Sequence, residues 1–545
     1  MIKEEVVKAS SGIKEMQNAK EISSALAKAV THHLAGQSEN ALSDLGIALD
    51  SGNRSAEVFA ARGYLQLELG HFDEAWENYS KALETGPGDA QISFNSGIAL
   101  QNLGRTQEAI PHFKRALAVN PNWIEAKTSI GVCTINQKEY PEAIKIFEEC
   151  LGSDPSYQPA LFGKAVSLQL LLRFDEAKAL YEKILQLSPD FEPALLNLIS
   201  LGLQKRDYDT VRKYAEQLLS QRPDHQVALE SLAAAAFARN DVDQAQRLCA
   251  KLTQIAPKEF EHWFNLGLAC QRQGNFNDAI QSYVRARVIR PDSADAHIQL
   301  GAVYLEIGDL TSARVAFERA VEQAPQRSDL QYQLAWVREQ QGDVDDAEKI
   351  YARIVSHHPE FVEAEFRLGY LQLRRGDYAA SSAAFQSCVE KRKNWREAEL
   401  NLAMALWKLN QHDAARDVLI RLIDREPGCV DAVRGLAAIA LDRDYAQEAL
   451  DHHLRLHDLG EKTAEILYNS ALLSHKLGKN EQAAVLYREA LNQKPEFPEA
   501  LLNLGHVLKA IGREDQARSY WTLAIEAKPE LARGYFHAGL SNGEQ

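Results

Sequence analysis

The chain has no apolar run approaching the roughly 18 residues that cross a bilayer, so no transmembrane helix is expected. The opening stretch MIKEEVVKASSGIKEMQNAK lacks the apolar core of a secretory signal. No block of Lys or Arg is present and the net charge is −15. Phosphate binding needs concentrated positive charge, so the balance argues against a nucleic-acid surface and against docking on an anionic membrane. Cysteine is scarce: six in 545 residues, with no CxxC pair. That pattern fits a reducing compartment, the cytoplasm, with thiols serving as small packing groups.

Catalytic signatures are also missing. There is no Gly-rich phosphate loop with Lys and Ser or Thr, no HExxH and no GxSxG. GDVDDAE, around Asp343, lacks the ligand spacing of a calcium loop. In DHHLRLH, His453 and His457 share a helix face at a spacing a metal can bridge, but no second motif supplies further ligands. The expectation is a chain without enzymatic activity, cofactor or metal.

Periodicity is abundant. Pro87, Pro121, Pro155, Pro189, Pro223, Pro257, Pro291, Pro325 and Pro359 recur every 34 residues. The frame resumes at Pro427, Pro495 and Pro529 and skips only Lys393 and Glu461. A fixed period of this size marks a solenoid. With the proline at slot 32, fifteen full units run from Ile22 to Leu531.

Each recurring residue has a mechanical reason. Slots 1–14 and 18–31 carry helical apolar spacing. Slot 15 is often glycine, which permits the positive φ that ends a first helix. Slot 8 is Gly or Ala except at Ile199, and slot 20 is Ala except at Val211 and Ser381, so the paired helices approach closely. Aromatics at slot 24 fill the space between pairs, and the slot-32 proline stops the second helix. One pair cannot bury both faces alone; stacking on a like neighbour does so. Two units depart from the pattern, Glu192–His225 and Val430–Thr463, and weaker stacking is expected in both.

A small residue at slot 8, Ala at 20, an aromatic at 24 and Pro at 32 together resemble the tetratricopeptide repeat (TPR). The resemblance implies an all-α, right-handed superhelical solenoid of about fifteen helix-turn-helix units over residues 22–531. Residues 1–21 are expected to be a lead-in and 532–545 a capping helix with a tail. It also implies a concave face lined by first helices, chiefly through slots 2, 5, 6, 9, 12 and 13.

On that face, slot 6 carries Asn95, Asn197, Asn265, Asn401, Asn469 and Asn503. An amide can both donate to and accept from a peptide backbone. The ladder resembles, with interruptions, the one in the repeat domain of O-linked N-acetylglucosamine transferases. Phe264, Tyr332, Trp336, Phe366, Tyr370 and Trp407 are expected to point inward among Arg272, Arg367, Arg374 and Lys408. An aromatic and cationic concavity has the composition of an interface hot spot. The competing reading buries the slot-5 aromatics against the next helix. Acids at slot 2 offset the helix dipole. Slot 5 is never Lys and slot 9 never Asn, which argues against the carboxylate clamp of chaperone-docking relatives.

The leading expectation is a scaffold or adaptor binding peptide segments or partner proteins in its groove. Two alternatives stand: the substrate-selecting portion of a transferase whose catalytic domain is missing or separate, and a self-assembling structural protein.

Overall fold

A computed structural model describes residues 23–532 apart from 53, 87 and 88. The expected lead-in, and the capping helix beyond Ala532, lie outside the described residues. Those described form helices, turns and short connections, with no strand among them. Most of the helices alternate in length as the frame requires. First helices such as Ala56–Glu68 and Ala90–Asn102 have 13 residues, and second helices such as Phe72–Thr85 and Thr106–Val119 have 14.

The break inside each pair is a left-handed residue at slot 15. Nine units place glycine there, among them Gly36, Gly70 and Gly104. The other six force a side chain into the same geometry: Lys138, Leu172, Arg206, Asn240, Asn410 and Asp444 have φ between 56° and 64°. The turn is therefore imposed by packing and not only by glycine. For an L-residue this conformation costs roughly 1 kcal/mol. Leu172 is 72% exposed and gives up little packing. Leu172→Gly is thus expected to stabilise its repeat by about 0.5–1 kcal/mol, read as slower amide exchange across residues 158–190. Unchanged or faster exchange would refute this.

The second helices stop where the proline demands. Asn120, before Pro121, sits at φ −125° and ψ 88°, outside the α region. Slot 24 forms the centre of the core. Tyr79, Tyr181, Tyr283, Tyr351, Tyr487, Phe113, Phe147 and Phe385 are the largest fully buried side chains.

Two compact units divide between Ser282 and Tyr283. In the amino-terminal unit, the irregular repeat Glu192–His225 meets the repeat before it less closely than most neighbours meet, as its departures predict, but its own interior is filled. Ile199, Val211 and Leu218 are buried within a continuous core that runs from Ile144 to Ala235. The reason is exchange of volume: Ala215 replaces the slot-24 aromatic, while Ile199 and Val211 are larger than usual. Gly202 makes room, since a Cβ there would lie 2.8 Å from Val211 Cγ2. In the carboxy-terminal unit, the repeat Val430–Thr463 has also kept its turns. Asp444 takes the left-handed turn, and Gly460, at φ 97°, follows the second helix Ala446–Asp458.

Candidate binding face of the first helices

Slot 5 contributes an aromatic in several repeats, and the structure explains why. In the amino-terminal unit, Phe94 meets Phe113 at 5.7 Å and stacks on Trp123 at 4.6 Å between ring centroids. Phe162 meets Tyr181 and Phe191 at 5.8 and 5.6 Å. In the carboxy-terminal unit, Tyr332 meets Tyr351 and Phe361, Phe366 meets Phe385 and Trp395, and Tyr468 meets Tyr487 and Phe497. Slots 5, 24 and 34 thus form an aromatic trio within one repeat. Tyr332 and Phe366 are consequently half-buried packing groups. Phe264, in the other unit, stacks on Phe260 at 5.4 Å and is also half-buried.

Arg367, expected as an available cation, is engaged. Its Nη2 donates to Glu339 Oε1 at 2.6 Å and its Nε to Glu339 Oε2 at 3.2 Å. The Tyr351 hydroxyl donates to Glu339 Oε2 as well, at 3.2 Å. The Glu339 side chain is only 5% exposed. The reason is burial: a carboxylate removed from water must be paired. Arg367 also lies 5.7 Å over Tyr370, which packs between adjacent core clusters. Trp336 is half-buried beside Leu334 and Val337. Arg374 is exposed at the end of the helix Val362–Arg375. In the amino-terminal unit Arg272 is exposed, 5.4 Å over Phe237.

The asparagines stand on first helices, but several are already bonded. Asn197 and Asn401 donate to the carbonyls of Pro193 and Glu397, and Asn503 donates to Tyr468 Oη. Asn95 accepts from Gln91 Nε2 at 3.1 Å. Each donor retains its second amide proton. Asn265 is half-buried and Asn469 exposed.

The carboxy-terminal unit brings a subset together. The first helices Arg396–Lys408 and Val430–Asp442 enclose a cavity of about 450 Å³, lined by Asn401, Met404, Trp407, Leu419, Arg434 and Ala438 among others. Its origin is a missing trio: Leu400, Leu419 and Cys429 occupy slots 5, 24 and 34 of this repeat. Gly435 completes the space, because a Cβ there would come within 2.8 Å of Leu419 Cδ1. Trp407 Nε1 donates to Asp442 Oδ2 at 2.6 Å, which fixes the indole, and Lys408 lies over the ring at 4.7 Å. Asp431 and Arg434 pair at 2.8 Å on the rim. Sequence reasoning missed Met404, Leu419, Arg434 and Ala438; the small slot-5, slot-24 and slot-34 residues could have signalled the gap. The amino-terminal unit has a comparable apolar cavity of about 470 Å³ beside Val132, Phe162 and Gly163, where Thr128 stands at slot 5.

The cysteines are packing groups. Burial pushes the Cys133 thiol up to about 11 and those of Cys249 and Cys388 to about 12, which makes them poor nucleophiles. Cys429 is buried at 8%, because it occupies the aromatic position of its trio. His453 is buried, with Nδ1 at 2.8 Å from the Ala449 carbonyl, while His457 points toward Glu489. No group of three or more His, Cys, Asp or Glu side chains converges on a metal position among the described residues. No helix among them is long and apolar enough to cross a membrane.

Paired helices, left-handed slot-15 turns and slot-24 aromatics on a 34-residue frame define a helical-repeat protein. The chain belongs to the tetratricopeptide repeat superfamily, a class of protein-interaction scaffolds. Profiles described as "Tetratricopeptide repeat" match residues 134–200, 202–267 and 308–368, and, in another version, 60–123, 94–158 and 400–460. Others match 363–394 and 498–531, and one described as "TPR repeat" matches 267–308 and 471–512. A search of curated proteins gave no match. Among solved structures, one of MamA is 27% identical over 29% of this chain and 94% of its own, with a TM-score of 0.29. YrrB, described as a TPR protein with an unusual peptide-binding site, is 24% identical over 34% of this chain and 95% of its own, at 0.30. The APC/C hetero-tetramer Cut9–Hcn1 aligns over 87% of this chain and 95% of its own at 14% identity and 0.31.

Proposed function

We propose that the chain is a non-enzymatic scaffold that holds extended segments of partner proteins on its first-helix faces. The apolar cavity between Arg396–Lys408 and Val430–Asp442 would be a principal anchor. The observation that carries this reading is the cavity itself. It pairs an apolar floor with a fixed indole at Trp407 and with the Asn401 amide, one proton of which is unspent. An apolar side chain would enter beside Trp407, and the flanking backbone would bond to Asn401. Lys408 and Arg374 are exposed cations that would favour acidic residues along the bound segment.

The test begins with a photo-cross-linking residue at Met404, which is 42% exposed on the cavity wall, in the full chain within its native host. Peptides copied from the cross-linked segment should bind the purified chain. Ala438→Trp, which fills the cavity, should weaken them at least about tenfold, since deeply seated anchors dominate such interfaces. The double change Trp336→Ala and Arg374→Ala probes the neighbouring face and should weaken the same peptides. Equal binding to wild type and Ala438→Trp would remove the cavity from the reading.

A further inference from the structure

The face built by first helices changes character along the chain. In the four repeats from Ala90 to His225, slots 2, 5, 6, 9, 12 and 13 carry one charge, Glu125, in a chain that is 25% charged. The same slots between Ser328 and Lys408 carry Asp329, Glu339, Glu363, Arg367, Arg374 and Lys408, among others. In the uncharged stretch, slots 9, 12 and 13 supply Ile98, Val132, Ile135, Val166 and Leu170 instead. Leu170 is 48% exposed and the other four are half-buried.

The cavity of about 470 Å³ in the amino-terminal unit lies within this stretch, between the helices Ile124–Asn136 and Gln158–Leu170. Two residues open it. Thr128 stands at slot 5, where Phe94 and Phe162 stand in the repeats on either side, and Gly163 stands at slot 6, where Asn is common. Val132, Ile135, Phe162, Val166 and Phe191 form apolar walls. Thr128 and Gln158 are the polar residues of the lining, and no charged side chain belongs to it. Lys164, on the second of the two helices, is held by Glu148 at 2.8 Å. Asn136 and Gln204, at slot 13, are exposed amides that can meet a peptide backbone without favouring either sign of charge.

A charged side chain brought onto this face would shed water and meet no opposite charge. Both signs are therefore penalised, while an apolar side chain gains from burial. We propose that the first-helix face from Ala90 to Gln204 takes an uncharged, apolar segment of a partner protein. One bulky side chain of that segment, a phenylalanine or leucine, would fill the cavity against Phe162. Such a segment differs from the acidic one favoured beside Lys408 and Arg374. The proposal rests on the scaffold reading but concerns a separate surface, tested with the carboxy-terminal cavity closed.

The probes are acetylated, amidated heptapeptides, Asn-Ser-Val-X-Val-Ser-Asn, with X as Phe, Leu, Lys or Glu. Each is titrated by calorimetry into the full chain carrying Ala438→Trp, at about 150 mM salt, where diffuse attraction to the negative chain is screened. The Phe and Leu peptides should bind with a Kd on the order of 1 mM or below, and Lys or Glu at X should weaken binding at least about fivefold. Rejection of Lys is the discriminating result, because a net charge of −15 would by itself favour it. Thr128→Phe restores the slot-5 ring, and Val166→Trp narrows the cavity from its other wall. Each should weaken the Phe peptide about tenfold, with helicity and melting temperature held. Val166 is half-buried on the cavity wall, so its variant keeps the test open if Thr128→Phe misfolds. Three results would overturn the proposal: a Lys peptide that binds as well as Phe, no Phe binding up to about 5 mM, or undiminished Phe binding in a folded variant. Success here with failure of the Met404 experiment would leave this face standing and remove only the carboxy-terminal anchor; the reverse outcome would remove this face alone.

Discussion

Replacing Arg367 with alanine is expected to destabilise the carboxy-terminal unit by about 3–5 kcal/mol, the usual cost of leaving one member of a buried ion pair alone. The Glu339 side chain is 5% exposed and that of Arg367 22%, so solvent screens the pair little. The guanidinium makes both of its bonds to one carboxylate, at 2.6 and 3.2 Å, and Tyr351 supplies a third donor. Without Arg367, the Glu339 charge would keep only the Tyr351 hydroxyl. The control is Arg367→Met with Glu339→Leu, which removes both charges and should return stability to within about 1 kcal/mol of wild type. Amide exchange across residues 328–375 is the suitable measurement, because a repeat array need not unfold in one step. A loss below about 1 kcal/mol for Arg367→Ala would mean that water serves Glu339 in its place.

Gly131→Val should have a comparable effect in the amino-terminal unit. The Phe147 ring is fully buried, and a Cβ at Gly131 would approach its Cε1 and Cζ to 2.6 Å. The ring has little room to turn, because Gly163 of the next repeat closes on the same end of it, where a Cβ would lie 2.3 Å from Cζ. Either the helices part or the ring leaves its site. Overpacking costs about 1–3 kcal/mol and losing a buried phenylalanine about 3–5, so a loss near 3 kcal/mol is expected. Adding Phe147→Leu should recover part of that loss, since the two residues share one space. Exchange should accelerate over residues 124–170 and leave distant repeats protected. Uniform acceleration along the unit, or no coupling between the two positions, would contradict the packing account.

The cavity that carries the proposed function shows how unevenly the site could be read. Asn401, Trp407 and Lys408 were legible because slots 6, 12 and 13 belong to first helices, whatever their neighbours. Their partners across the cavity were not, because Leu419 and Ala438 look like ordinary packing residues until the absent aromatics are noticed. Arg367 reads as a free groove cation in sequence; its bond to Glu339, 28 residues earlier, appears only when successive repeats stack. The depth of Cys429 was hidden for a related reason. Slot 34 lies at the repeat junction, and its burial depends on what slots 5 and 24 leave vacant.

The sequence by itself determined the helix pairs, their 34-residue frame and the residues at their turns. Those follow from local rules: apolar spacing, the φ that glycine permits and the geometry that proline forbids. Tertiary structure alone decided which slot-5 aromatics are covered, which charges pair, where Leu172 and Asp444 accept a left-handed turn, and where cavities open. Each of these is set by the summed volume and charge of side chains about 10–35 positions apart, and only stacking brings those side chains into contact.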